Sequence, residues 1–259
     1  MRRGVERNPM EVILAEYLGF CYGVKRAIKL ARDSASPDGK ACTLGPIIHN
    51  PQMVARLEAE GVGMVDALDQ MQDDGTIIIR SHGVGPHVYD DAEQRQLHIV
   101  DATCPHVKKA QMAAHDLVKD GYSVVIIGEK RHPEVKSIFE WSGHKAAVVE
   151  TVEEAALLPA IGRLGIVAQT TFSSDKFKQI VLCLLDKSND VKILRTICTA
   201  TDQRQAAAIE LARKVDLMLV IGGKNSANTT RLAQLCADEC KTYHIETVNE
   251  VQDNWFDKI

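Results

Sequence analysis

A chain of 259 residues, 45% hydrophobic and 25% charged, is globular and long enough to bury a large core or to divide into smaller units. A net charge of −4 argues against a general nucleic-acid binder, while leaving room for a local pocket that holds a small anion. With no run of 18 apolar residues, no hydrophobic signal stretch and seven cysteines without a CxxC clip, the expectation is a cytoplasmic protein with free thiols or metal ligands and no membrane partner.

In chain order, Met1 to Pro9 reads as a loose basic end rather than a targeting peptide. The apolar run VILAEYLGFC predicts a strand that delivers Cys21. After it come a helix in VKRAIKLARD, a strand-like segment ending in LGPIIHN, a helix in PQMVARLEAEG, a short strand VGMVD and a buried strand TIIIRSHG. A further helix leads to the strand LHIVDATC, which delivers Cys104, and the order recurs. VKKAQMAAHDLVKD precedes YSVVIIGEKRHPE, VKSIFEWSG, AAVVE, TVEEAALLPA and LGIVAQTT, before VKILRTIC delivers Cys198. The third round runs through DQRQAAAIELARK, VDLMLVIGGKNSANTT, RLAQLCADE and TYHIET to a helical end VNEVQDNWFDKI.

Alternating apolar runs and helical patterns predict an α/β fold with mostly parallel sheets covered on both faces. The expectation is three pseudo-repeated α/β units around one centre: residues 21–103, 104–197 and 198–259, with 1–20 as a tail and strand completing the third unit. Units one and two continue through a strand carrying RSHG or AQTT; the third has no counterpart of it.

Each of Cys21, Cys104 and Cys198 ends an apolar run and precedes a helix, whose unpaired N–H groups and dipole favour the thiolate. Three thiolates brought together suit an iron–sulfur cluster with one iron left open. Catalytic zinc is the rival, although its sites are richer in histidine and carboxylate, and ordinary burial of three thiols is the plain alternative. Ligands in open α/β sheets bind beyond the carboxyl ends of strands. The residues there are His49, Asn50, Ser81, His82, His132, Glu134, Gln169 to Thr171, Ser226 and Asn228.

The stretches GFCYGVKRAI, LGPIIHNP, RSHGV, DATCPHV, HPEV, AQTTFS, GGKNSANTTRL and NEVQDNWF, in this order over about residues 11–259, resemble the LytB family of 4-hydroxy-3-methylbut-2-enyl diphosphate reductases. The resemblance implies three α/β domains around a [4Fe-4S] cluster held by Cys21, Cys104 and Cys198, with one open iron. It implies reduction of an allylic hydroxy diphosphate to isopentenyl and dimethylallyl diphosphates, the last step of the methylerythritol phosphate route to isoprenoids, with a ferredoxin or flavodoxin as electron donor. His49, His82, His132, Ser226, Asn228 and Thr170 correspond to diphosphate-pocket residues, and Glu134 with Thr170 to the proton donor and its hydroxyl partner. Breaking a carbon–oxygen bond requires protonation of the leaving hydroxide, so an acid there is chemically necessary.

The family pattern continues past NEVQDNWF into a segment rich in small residues (TAGAS), which is expected to be missing here, and Ala227 stands where a second serine is common. A truncated inactive copy, or a non-catalytic iron–sulfur redox or sensor protein, therefore stands beside the enzyme reading, as does a lyase that needs no external electrons. Cys236 and Cys240 share a helix face and are expected to pack, Cys42 and Cys183 lie in ordinary strand and helix patterns, and the role of His106 is open.

Overall fold

The computed structural model describes residues 10–36 and 39–256. The chain divides into two compact units: Phe20–Asp202, and the described part of Met1–Gly19 together with Gln203–Ile259. The loose end at Met1 to Pro9 lies outside the described residues.

Phe20–Asp202 contains two sheets of the same design. The first round of elements is α1 (Tyr22–Asp33), β1 (Ala41–Leu44), α2 (Pro51–Ala59), β2 (Gly63–Val65), β3 (Thr76–Ile79), α3 (Pro86–Gln94) and β4 (His98–Asp101). The second is α4 (Pro105–Lys119), β5 (Ser123–Ile127), α5 (Pro133–Trp141), β6 (Ala147–Val149), α6 (Val152–Ala156), β7 (Arg163–Ala168), α7 (Ser174–Leu185) and β8 (Asp190–Ile193). Sheet orders are β2-β1-β3-β4 and β6-β5-β7-β8, all neighbours parallel. The expected boundary at residues 103 and 104 falls between these sheets, inside one compact unit.

Parallel strands joined by helical crossovers are covered on both faces, which explains why TIII and SVVII are apolar at every central position. Ile77 and Ile79 face one layer with Ala92 of α3, while Ile78 faces the other with Ala27, Ile28 and Ala31 of α1. In the second sheet Val125 and Ile127 pack with Phe177, Ile180 and Leu184 of α7, and Val124 and Ile126 with Ala110, Ala114 and Leu117 of α4. Each such isoleucine, wholly buried, contributes about 2 kcal/mol relative to an exposed one. A rigid double core therefore fixes the carboxyl ends of β1, β3, β4, β5, β7 and β8.

In the smaller unit, α8 (Thr199–Ala212), which begins before its boundary, leads to β9 (Leu217–Ile221), α9 (Ala227–Ala237) and β10 (Lys241–Ile245). β9 and β10 pair in parallel, matching the first two sheet positions of the other rounds. Two expectations differ from the structure. Residues 10–20 carry no strand: Val12, Ile13 and Leu14 are exposed, and no ladder partner fixes their backbone. The ending around NEVQDNWF forms two short 3₁₀ turns, Val248–Glu250 and Asp253–Phe256, instead of a continuous helix. Glu250 closes the first by accepting from the Glu246 and Thr247 amides, and Trp255 stacks on Tyr243 at 3.7 Å between centroids.

Candidate active site

Cys21 and Cys104 are the N-cap residues of α1 and α4, and Cys198 immediately precedes α8. The two later cysteines are anchored in the same way. The Cys104 amide donates to the Ser81 carbonyl at 3.0 Å and the Cys198 amide to the Thr170 carbonyl at 2.9 Å, so each is pinned to the end of a neighbouring strand. Burial raises the Cys104 thiol above its usual range; the His106 and Val107 amides of the α4 N-terminus oppose this, and charge on Cys21 and Cys198 adds to it. The three thiols are thus within electrostatic reach of one another. Ionising all three without a cation between them is unfavourable, and a bound metal reverses that.

Gly23, in the first turn of α1, leaves the space that the Cys104 sulfur fills: a Cβ there would lie 2.5 Å from Sγ. Helix propensity alone would make Gly23→Ala stabilising by about 1 kcal/mol. The crowding is instead expected to displace Cys104 and lower the iron retained per chain in metal analysis after anaerobic reconstitution. Iron retention equal to wild type would rule out this contact.

The loops after β1, β3 and β5 bring three imidazoles into one cluster, and the loop after β3 also carries Ser81, whose carbonyl accepts the Cys104 amide. The rings of His49 and His82 are 4.2 Å apart, those of His82 and His132 5.5 Å, and those of His49 and His132 5.7 Å. One nitrogen from each can approach within 4.8 Å of the others. Burial lowers all three pKa values, that of His132 to about 4, with mutual repulsion and the charge of Arg80 adding to the effect. His132 caps α5, its Nδ1 accepting from the Glu134 amide at 3.2 Å. The neutral ring then carries its proton on Nε2, where it is free to donate to an anion. His82 Nδ1 is buried with no partner, an unfilled valence that a polar ligand would satisfy.

Glu134 follows at the start of α5 and is 2% exposed. Thr170, beyond β7, donates to both carboxylate oxygens: its amide to Oε1 at 2.5 Å and its hydroxyl to Oε2 at 2.8 Å. Burial nevertheless dominates and raises the Glu134 pKa to about 7; the Thr170 bonds oppose the rise, and Glu129 adds slightly to it. A carboxyl so poised can hold a proton at neutral pH and release it through one hydroxyl.

A buried support joins these loops, and it was not legible in the sequence. Ser137 of α5 accepts from Gln111 Nε2 of α4 at 3.0 Å, and its hydroxyl reaches the carbonyls of Glu134 and His82 at 2.8 and 3.2 Å. Ser226 and Asn228 belong to the smaller unit. There Ser226 caps α9, accepting from the Thr229 amide, and Asn228 Oδ1 is buried without a partner. His106 is exposed on the first turn of α4. Cys236 packs in the small core beside Ala208 and Met218.

The family model described as LytB protein matches residues 12–259. The chain belongs to the LytB family. LytB relatives named 4-hydroxy-3-methylbut-2-enyl diphosphate reductase include those of Pelobacter propionicus, 51% identical, and Geobacter metallireducens, 50% identical, each match covering 96% of this chain and 89% of the relative. Two solved structures match as well. One is of (E)-4-hydroxy-3-methyl-but-2-enyl diphosphate reductase, the terminal enzyme of the non-mevalonate pathway, with 45% identity, TM-score 0.73 and coverage of 95% of this chain and 89% of the other. The other is the Plasmodium falciparum E-1-hydroxy-2-methyl-but-2-enyl-4-diphosphate reductase, with 30% identity, TM-score 0.86 and coverage of 92% and 76%. LytB enzymes are iron–sulfur enzymes, and the donor set here, three mutually acting thiols at helix N-termini, suits that cofactor. No helix among the described residues is long and apolar enough to cross a membrane.

Proposed function

We propose that this chain reduces 4-hydroxy-3-methylbut-2-enyl diphosphate to isopentenyl and dimethylallyl diphosphates, using two electrons. The observation that carries the reading is that one compact unit holds three thiols, a cluster of neutral imidazoles and a buried acid with a pKa of about 7, with the Cys104 amide tied to Ser81 beside His82 and the Cys198 amide tied to Thr170, the partner of Glu134.

Cys21, Cys104 and Cys198 would hold a [4Fe-4S] cluster with one iron free of protein ligand. Bound there, the cluster supplies the electrons and a Lewis acid for the substrate hydroxyl. The remaining chemistry belongs to side chains. His49, His82 and His132 donate N–H groups to the diphosphate. Holding both ends of the substrate limits its motion to conformations in which the hydroxyl meets the acid. Once protonated, Glu134 Oε2 donates to Thr170 Oγ1, the reverse of the bond that the ionised carboxylate accepts, and the threonine hydrogen turns to the departing oxygen; the carboxyl proton then follows onto Oγ1, so water leaves instead of hydroxide. The two electrons leave an allylic carbanion, and a second proton added at one end of it or the other gives the two isomers. A ferredoxin or flavodoxin of the cytoplasm would refill the electrons.

The test is anaerobic turnover: reconstituted protein with dithionite and a viologen mediator is expected to convert the substrate to both isomers, measured by product chromatography. Iron-loaded protein that binds the diphosphate but gives neither isomer would favour the non-catalytic redox reading. Conversion to a dehydrated product without consumption of reductant would identify a lyase.

A further inference from the structure

Arg80 has no role in the chemistry above. It lies directly after the buried run of β3, in the turn that presents His82, closed by the Gly83 amide donating to the Arg80 carbonyl at 3.0 Å. Its guanidinium passes over the chain at Gly45, where an added Cβ would be 2.8 Å from Nη1 and where φ is +68°, so the loop leading to His49 is shaped to let the arginine through. The side chain is half-buried, and it donates no hydrogen bond and forms no ion pair with any described residue. Its Nε is also sealed from solvent. Glu140 of α5 is the carboxylate that attracts it, from beyond ion-pair distance. The other titratable groups that feel its charge are His49, His82 and His132.

A desolvated guanidinium with empty donors is unfavourable unless an anion completes it. We propose that Arg80 is the charged member of the diphosphate pocket, its guanidinium binding phosphate oxygens of the substrate beside His49, His82 and His132. This rests on the reductase reading for the identity of the ligand. An arginine keeps its charge at every working pH and matches phosphate oxygens with a planar fork of donors. Three imidazoles held neutral by burial offer hydrogen bonds but little net charge, and the ligand is a polyanion. Arg80 supplies the attraction that the histidines lack.

The test is calorimetric titration of inorganic diphosphate into anaerobic holoprotein at pH 8, for wild type, Arg80→Gln and Arg80→Lys, with iron content and melting temperature as controls. Arg80→Gln is expected to weaken binding by about 10- to 100-fold, the size of a charged hydrogen-bonded contact. Arg80→Lys, which keeps the charge and loses the fork, should bind more weakly than wild type and more tightly than Arg80→Gln. In the glutamine variant His49 loses its repelling neighbour, so affinity should recover as pH falls from 8 to 6 more than it does in wild type. In turnover, KM should rise with kcat little changed. Equal affinities and equal pH profiles for wild type and Arg80→Gln would overturn the proposal, as would a wild type that does not bind diphosphate. If Arg80→Gln does not fold, the ¹⁵N signal of Arg80 Nε in wild type decides: a shift on adding diphosphate supports the contact, and an unmoved signal refutes it. Arg80-dependent binding without reduction of the allylic substrate would defeat only the reductase reading, and reduction indifferent to Arg80 only this one.

Discussion

Replacing Cys104 by serine is expected to remove most bound iron and to lower turnover on the order of 10³-fold or more. The size follows from what is lost, since the electron source and several kcal/mol of Lewis-acid stabilisation depend on the bound group. A serine hydroxyl is a harder donor than a thiolate and stays protonated where the Cys104 thiol can ionise with help from the His106 and Val107 amides. The fold should persist, because the Cys104 amide bond to the Ser81 carbonyl does not involve the sulfur. Iron stoichiometry, the visible absorption of the cluster and anaerobic rates measure the effect, with Cys236→Ser as the control. Cys236 sits wholly buried in a different core, its pKa raised to about 11 by burial, and its replacement should cost stability and leave iron content alone. A Cys104→Ser protein with full iron content would refute the three-thiol centre.

Much of this site is written in the sequence because its parts obey two simple rules. Strands buried on both faces must be apolar throughout, so TIII and SVVII announce parallel strands, and the polar residues that follow them mark the carboxyl edge where ligands bind. His82 and His132 are found that way, and Thr170 follows LGIVA by the same logic. What pattern could not supply was tertiary. Arg80 adjoins His82 in sequence, yet its lack of a partner is visible only once Gly45, Glu140 and the imidazoles surround it. The one signal available was a charged residue at the edge of an isoleucine run. Gln111 is twenty-six residues from Ser137 and reads as an ordinary helix polar position until the fold buries both. The apolar run before Cys21 illustrates the converse. Composition favours a strand in VILAEYLGF, but a strand exists only where a neighbour pairs with it, and the described residues 10–20 have none.

The acid gives the second large effect. Glu134→Gln keeps the shape of the side chain and removes the proton, and kcat is expected to fall by about 10²–10⁴-fold, the usual worth of a positioned general acid. The pH dependence is the sharper readout. Burial raises the folded-state pKa of Glu134 from 4.5 to about 7, so below pH 7 the carboxyl carries its proton and can act as an acid. Above pH 7 the wild-type rate should fall by about tenfold per unit, since only the protonated fraction works. The glutamine variant should lack this limb. The same shift links to stability with a fixed sign. A raised folded pKa means that the native state holds the proton more tightly, so its stabilisation is complete below about pH 4.5 and is lost as pH climbs through 7. Melting temperatures of wild type should therefore decline over that window relative to Glu134→Gln. Thr170→Val provides the internal check, because it deletes the hydroxyl that donates to Oε2 at 2.8 Å and lowers the Glu134 pKa. Its rate should drop through loss of the relay, while the falling limb of the profile moves to higher pH. A Glu134→Gln enzyme that retains more than a tenth of wild-type kcat, or a Thr170→Val limb that moves to lower pH, would exclude Glu134 as the proton source.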